Sequence, residues 1–433
     1  MRLESPATPP ALSQRERERT AELAVANSGK INRRTPWHLT LCAGAAMTLL
    51  AVGCGGGGSS DAGSSVTSAS ADKAALFAEG SIDGFGSVIV GGIRYDDKSA
   101  GIVDDDDKAF SSGDLKLGMM VQIESSAIDR ASSAAKALKI RFGASVVGPV
   151  ESIDAVNRRL VVIGQTVQVD DLTVFGETLA GGLAAIRVAD VLSVHARLDA
   201  TTGRYVATRI EARAAPAAYR VRGLVAHLDK TAKTLRIGDA LISYASVPAA
   251  SVPADLANGQ RIRVLLQTTK VGGAWVATTL RGGVPHAAED LARVGELHGF
   301  ATGFDAAKLT FTVDGVPVDA SAASFPHGMT GLAAGARVEV EGSLIAGVFK
   351  ATRVEVGASE RPKQFELHGP IGLLTATSTT FDLRGMSLVF DRATVTIKDC
   401  GGVLPALGRN VEVKATLSPD GSKLIAVAIE CES

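Results

Sequence analysis

The densest group of potential ligands is Asp104-Asp105-Asp106-Asp107, followed by Lys108 and flanked by Asp96, Asp97 and Asp114. Carboxylate oxygens gathered in a loop suit a hard cation such as Ca²⁺. The run lacks the stepped ligand spacing of a calcium loop, and no glycine inside it makes the turn. It is expected to be a solvated, flexible loop between the second and third strands of its unit.

His298 and His368 stand in matching segments, Glu296-Leu-His-Gly and Glu366-Leu-His-Gly. Neither has a second histidine or a cysteine at ligand spacing, so zinc chelation is not indicated. They are expected on strand faces beside a barrel mouth. Ser70-Ala-Asp-Lys73 fits the Ser-x-x-Lys pattern of serine acyl-enzymes, but it lies in a Ser/Ala/Gly stretch that cannot hold the serine against a base. Gly-x-Ser-x-Gly, His-Glu-x-x-His and a phosphate loop ending in Lys-Ser/Thr are absent from the sequence. No catalytic or cofactor residue and no metal set is expected; Asp104, Asp105, Asp106 and Asp107 come nearest to one.

Cysteine chemistry is more informative. Cys54 follows Ala51-Val52-Gly53, a basic segment (Lys30, Arg33, Arg34), and a mostly apolar run from Trp37 to Val52. That order is a secretory address, and the run is short for a membrane span of about 20 residues. Cys42 falls in the discarded part. Cys400 and Cys431 remain, and an even pair in an oxidising compartment is expected to form a disulfide. Residues before Lys30 are expected to carry no fold, and Gly55–Ser65 reads as a flexible tether.

The elements that must position these residues repeat with a period of about 70. Gly80, Gly148, Gly223, Gly299 and Gly369 each open an apolar-alternating segment. A second stretch follows, such as Leu160 to Val169 or Leu309 to Val318, with a central glycine (Gly164, Gly315) suited to a turn. Four units then carry Gly-x-x-[Val/Ile]-x-[Val/Ile], beginning at Gly118, Gly259, Gly335 and Gly408; the second unit has Ala189 at that place. Closing segments read Ala-x-x-[Ile/Leu/Val] from Ala137, Ala207, Ala277, Ala351 and Ala426.

Strict alternation over such lengths marks half-buried strands. Only Leu179–Val188 and Val247–Leu256 leave room for a short helix or turn. The expected fold is all-β: a tandem array of small antiparallel barrels, OB-like, with an SH3-like barrel or a small sandwich as the alternative. The divisions are 1–53 (extension and signal), 54–77 (Gly/Ser tether), and repeats at 78–143, 144–214, 215–286, 287–358 and 359–433. The stretches around Pro216 and from His286 to Arg293 are the most linker-like.

Net charge is −1 for the whole chain, and the seven Lys/Arg and four Asp/Glu of residues 1–54 leave a remainder near −4. That balance, with 4% aromatic residues, argues against nucleic-acid partners. The Cys54-Gly-Gly-Gly-Gly-Ser59 tether followed by Gly-x-Ile-x-x-Phe and Gly-x-x-Val-x-Val units resembles proteobacterial lipoproteins carrying tandem copies of the domain of unknown function 5666, from about Ala78 onward. The resemblance implies a secreted β protein lipidated at Cys54, and it assigns no activity and no other functional residue. Gly55 after the cysteine favours the outer membrane. The expectation is a non-catalytic envelope protein that binds or scaffolds, with a protein or polysaccharide ligand and no cofactor. An assembly or quality-control factor pairing through β edges is the alternative.

Overall fold

The alternating segments form strands, and the strands of every unit close in one order. The computed structural model describes residues 76–129, 131–199, 202–282, 294–313, 316–357, 364–372, 379–384, 386–401 and 403–432. The signal, Cys54, the tether and Ser70–Lys73 lie outside the described residues, as do His286–Arg293 and Gly315.

The first repeat supplies β1 (Leu76–Phe85), β2 (Val88–Val90), β3 (Ile93–Asp96), β4 (Gly101–Asp104), β5 (Ala109–Phe110), β6 (Met120–Ser125) and β7 (Ala134–Phe142). The second supplies β8 (Val146–Asp154), β9 (Arg159–Val162), β10 (Gln165–Gln168), β11 (Val174–Phe175), β12 (Val191–Asp199) and β13 (Arg204–Ala212). The third has β14 (Tyr219–Asp229), β15 (Thr234–Ile237), β16 (Ala240–Ser243), β17 (Arg261–Val271) and β18 (Ala274–Gly282). The fourth has β19 (Val294–Asp305), β20 (Thr310–Val313), β21 (Val316–Asp319), β22 (Arg337–Ile345) and β23 (Val348–Val356). The fifth has β24 (Phe365–Gly372), β25 (Thr380–Leu383), β26 (Met386–Val389), β27 (Thr396–Lys398), β28 (Asn410–Leu417) and β29 (Leu424–Cys431). Among the described residues there is no α-helix; short 3-10 turns occupy the two Ala-rich stretches.

In the second repeat β8 pairs with β9, β9 with β10, β10 with β13 in parallel, β13 with β12, and β12 returns to β8. The same ring is β1-β2-β3-β7-β6 in the first repeat and β14-β15-β16-β18-β17 in the third. It is β19-β20-β21-β23-β22 in the fourth and β24-β25-β26-β29-β28 in the fifth. A five-stranded Greek-key barrel closed in this order is OB-like.

The recurring motifs have local causes. Gly118, Gly259, Gly335 and Gly408 sit at φ of 76°, 83°, 89° and 81°, where a Cβ is strained. Their N–H groups donate to Ile82, Val225, Ala301 and Ile371 carbonyls of the first strand, at 2.7–2.8 Å. Ala189, the exception in the sequence, adopts the same turn at φ 73° and donates to the Val150 carbonyl at 2.9 Å. The alternating valines that follow point inward, as Val338 and Val340 do. Ala137, Ala207, Ala277, Ala351 and Ala426 are all buried, each in a closing strand beside a register shift where the two strands cross closely.

Barrels also join one another. β8 pairs with β14, making one sheet and one continuous core of the second and third repeats. β1 pairs in parallel with β24, which joins the first repeat to the fifth across most of the chain. A Cβ on Gly84 would lie 2.3 Å from the Glu366 carbonyl oxygen, so this seam needs glycine there. The fourth repeat keeps its own core, while its Arg337 guanidinium donates to the Gly91 carbonyl of the first. Ala69–Ser433 holds together as one unit by its contacts. The first repeat touches all four others.

The structure joins Cys400 to Cys431, with Cα atoms 5.2 Å apart. No helix among the described residues is long and apolar enough to cross a membrane.

Candidate ligand cleft between three repeats

The aspartate run departs from the solvated-loop expectation at Asp105, while Asp106 and Asp107 stay exposed, at 40% and 59%. It follows the third barrel strand rather than the second, running from the end of β4 toward β5. Asp105 is 4% exposed. Its Oδ2 lies 2.8 Å from Arg222 Nη2, 3.3 Å from Arg220 Nη1 and 3.7 Å from Arg263 Nη1. Asp106 holds Arg220 and Arg263, each at 2.9 Å. Asp107 pairs with Arg141 at 2.5 Å, and Asp104 Oδ1 accepts the N–H groups of Asp106 and Lys108.

Three carboxylates, Asp105, Asp106 and Asp107, thus meet four guanidinium groups, and Arg141 also donates to the Asp104 backbone carbonyl. Burial raises the Asp105 carboxyl, but Arg222, Arg220 and Arg263 outweigh it and hold it below the ordinary carboxylate range. Burial likewise opposes the Arg222 charge, and Asp105 and Glu79 more than restore it. Arg263 is pushed down, by burial first and by Arg220. A divalent cation would have to displace arginines already in place, so the run is an ionic joint between the first and third repeats. A second contact, Glu79 to Arg261 at 3.3 Å, lies along the same junction.

Beside this joint opens a cleft of about 670 Å³, within the usual range for small-molecule sites. Ser193 and His195, alternate residues of β12, line its floor with Arg209, Glu211 and the adjoining Arg213 of the neighbouring strand segment. Asp106 and Arg220 belong to one wall. Phe110 and Phe142 add an edge-to-face pair with centroids 5.0 Å apart. Lys116, Glu177 and Pro216 also line it, so the Pro216 joint is part of the site.

His195 is 3% exposed, and its Nδ1 accepts the Met120 N–H at 3.2 Å. Burial lowers the imidazole pKa to about 4, with Glu211 and Arg209 acting in opposite directions. The ring is therefore neutral at pH 7, and acceptance at Nδ1 puts the proton on Nε2. Arg209 donates to the Leu117 carbonyl at 3.1 Å and holds Glu211 at 2.7 Å. Burial opposes the Glu211 charge, but Arg209 keeps that carboxyl below its ordinary value. Gly118 turns directly over the Thr208 carbonyl, docking the first repeat onto β13.

His368 lies on β24, a strand face as expected. It sits half-buried at the seam of the first and fifth repeats, with Nε2 2.8 Å from Glu366 Oε1 and Nδ1 2.7 Å from Glu432 Oε1. Arg94 also pairs with Glu366. Glu366, His368 and Glu412 bring donor atoms within 4.8 Å of one another, the one such group among the described residues. Both ring nitrogens are engaged by carboxylates, and Arg94 opposes a cation, so the group is an ion-pair cluster across the seam. The side chain of His298 lies outside the described residues.

Sequence reading missed the cleft. Ser193, His195, Arg209 and Glu211 alternate with buried residues and resemble an ordinary solvated barrel face; only the structure lays the first repeat over them.

Three segments, residues 147–211, 298–355 and 368–430, match the family model described as Domain of unknown function (DUF5666). They fall on the second, fourth and fifth barrels. Among solved structures, drosophila Unr CSD456 is similar at 13% identity and a TM-score of 0.13, over 49% of this chain and 96% of that chain. No curated protein matches.

Proposed function

We propose that the chain is a lipid-anchored, non-catalytic binding protein of the cell envelope, held in the outer membrane through Cys54, with the three-repeat cleft as its ligand site. The observation that carries the binding role is the construction of the cleft. Its walls come from three separate barrels fixed by buried ion pairs, so the pocket is preformed rather than assembled by the ligand. The non-catalytic reading draws on His195: its Nδ1 is occupied by the Met120 N–H, and its Nε2 carries the proton, which leaves no free basic nitrogen in the ring.

The edge-pairing alternative has less support. Among the described residues, the strands of the two sheets running across repeats that pair on one side only are β5, β11 and β27, of two or three residues each, and such short edges give a partner strand little to pair with.

Anchoring and binding are tested separately. Metabolic labelling with an alkyne fatty acid is expected to mark the wild-type protein and not Cys54→Ala; equal labelling contradicts the anchor. A photo-crosslinking residue at Thr178, on the cleft, should give ligand adducts in intact cells, and one at exposed Val156 should not. Adducts from Val156 alone contradict the site.

A further inference from the structure

The chemical class of the ligand can be taken from which polar groups in the cleft are already committed. The acids are almost all engaged. Asp104 accepts two backbone N–H groups, Asp106 holds Arg220 and Arg263, and Glu211 holds Arg209. Asp114 accepts from the Ser111 backbone N–H at 2.8 Å and from its hydroxyl at 2.7 Å. Glu177 is the remaining carboxylate of the lining.

The uncommitted donors are more numerous. Lys116 and Arg213 line the cleft and make no hydrogen bond or close ion pair among the described residues, Lys116 acting on Glu211 and Asp114 only through longer-range attraction. Ser193 is 5% exposed, and its hydroxyl is likewise unpartnered. His195 is the strongest pointer. It is 3% exposed, and its tautomer is fixed through Nδ1. Its Nε2–H has no partner among the described residues while the ring lines the cleft. The Nε2–H opens onto the cleft, where a ligand oxygen can replace solvent as its acceptor.

We propose that the cleft takes a small organic carboxylate with an apolar body. One oxygen accepts from His195 Nε2–H and the Ser193 hydroxyl, and Lys116 and Arg213 supply the opposing charge. The apolar part rests on the Phe110–Phe142 pair. Because the imidazole is neutral, it discriminates by hydrogen bonding, and the charge selection falls to the two rim cations. This deepens the binding role proposed above and rests on it.

The test uses the full-length protein in detergent, with phenylacetate and hexanoate as probes and phenylacetamide and phenethylammonium as matched controls, read by saturation-transfer NMR and calorimetry. The carboxylates should bind about tenfold or more tighter than the amide and the amine. Lys116→Gln with Arg213→Gln, both away from the core, should weaken phenylacetate by about tenfold and leave the amide unchanged. Long-range ¹⁵N spectra should show His195 as the Nε2–H tautomer, with that proton moving downfield on phenylacetate addition. Equal or tighter binding of the amide or the amine overturns the carboxylate assignment and leaves the cleft as a ligand site. An unaffected double variant, or an unmoved Nε2–H, overturns it as well. No binding by any probe at millimolar concentration contradicts both this inference and the cleft as a small-molecule site.

Discussion

Asp105 Oδ2 lies 2.8 Å from Arg222 Nη2, a hydrogen bond that spans 117 residues of sequence and joins the first barrel to the third. Both side chains are largely buried, at 5% and 13% exposure. Asp105→Ala leaves Arg220, Arg222 and Arg263 facing one another without their shared counter-charge. The expected loss is about 3–5 kcal/mol, read by urea unfolding at neutral pH. Asp107→Ala removes the more exposed partner of Arg141 and should cost less than about 1 kcal/mol. Equal effects would deny the joint its role.

The same joint sets an acid limit. The Asp105 carboxyl is held below its ordinary value in the folded state. Its contribution is therefore complete above the unfolded value of about 3.9 and is lost as pH falls through the lower folded one. Unfolding curves between pH 7 and pH 2 should show wild type losing this increment only in strong acid, with Asp105→Asn lacking the step.

His368 gives the opposite dependence. Burial lowers its pKa, but Glu366 and Glu432 overcome that and raise it above the ordinary value. The contribution is complete below about 6.5 and is lost as pH rises through the higher folded value. Hydrogen exchange at the β1–β24 seam should accelerate across that window more than simple base catalysis requires. His368→Gln should remove the excess.

Ala189 occupies a left-handed turn that the other four repeats fill with glycine. Ala189→Gly relieves about 1–2 kcal/mol of backbone strain against about 0.5–1 kcal/mol of added chain entropy in the unfolded state. A small net gain in stability is expected, and Gly335→Ala, where no neighbour lies near the new Cβ, should show the reverse. Thermal unfolding of the two variants reads the signs.

These turns show what was legible in the sequence. The recurring Gly118, Gly259, Gly335 and Gly408 proved to be left-handed turns, the alternation ending in Val338 and Val340 marked core, and the even cysteine pair proved to be within bonding reach. Strand period and turn chemistry are local, so one sequence carries them. The contacts between barrels are not local. Asp104–Asp107 has the composition of a solvated loop, and the arginines that bury Asp105 stand at alternate positions of β14 and β17, where they resemble an ordinary polar face. Nothing near His195 or Arg209 announces that the first repeat covers them.

The Cys400–Cys431 bond closes a loop of 31 residues in the fifth repeat. On the chain-entropy account this is worth about 3–4 kcal/mol. Reduction should lower the unfolding midpoint of the oxidised chain, and the double substitution to serine should reproduce the reduced value. Cooperative loss of the first repeat along with the fifth is expected, because the two share one core.

The central claim is that the repeats form one body arranged around the first barrel, which is what builds the cleft. Small-angle scattering on a chain beginning at Ala69 tests it directly. Compact-globule scaling gives a radius of gyration of about 21 Å for that length, independent of salt and of moderate pH. A radius well above that value, or one that grows with salt or moderate pH change, contradicts the account.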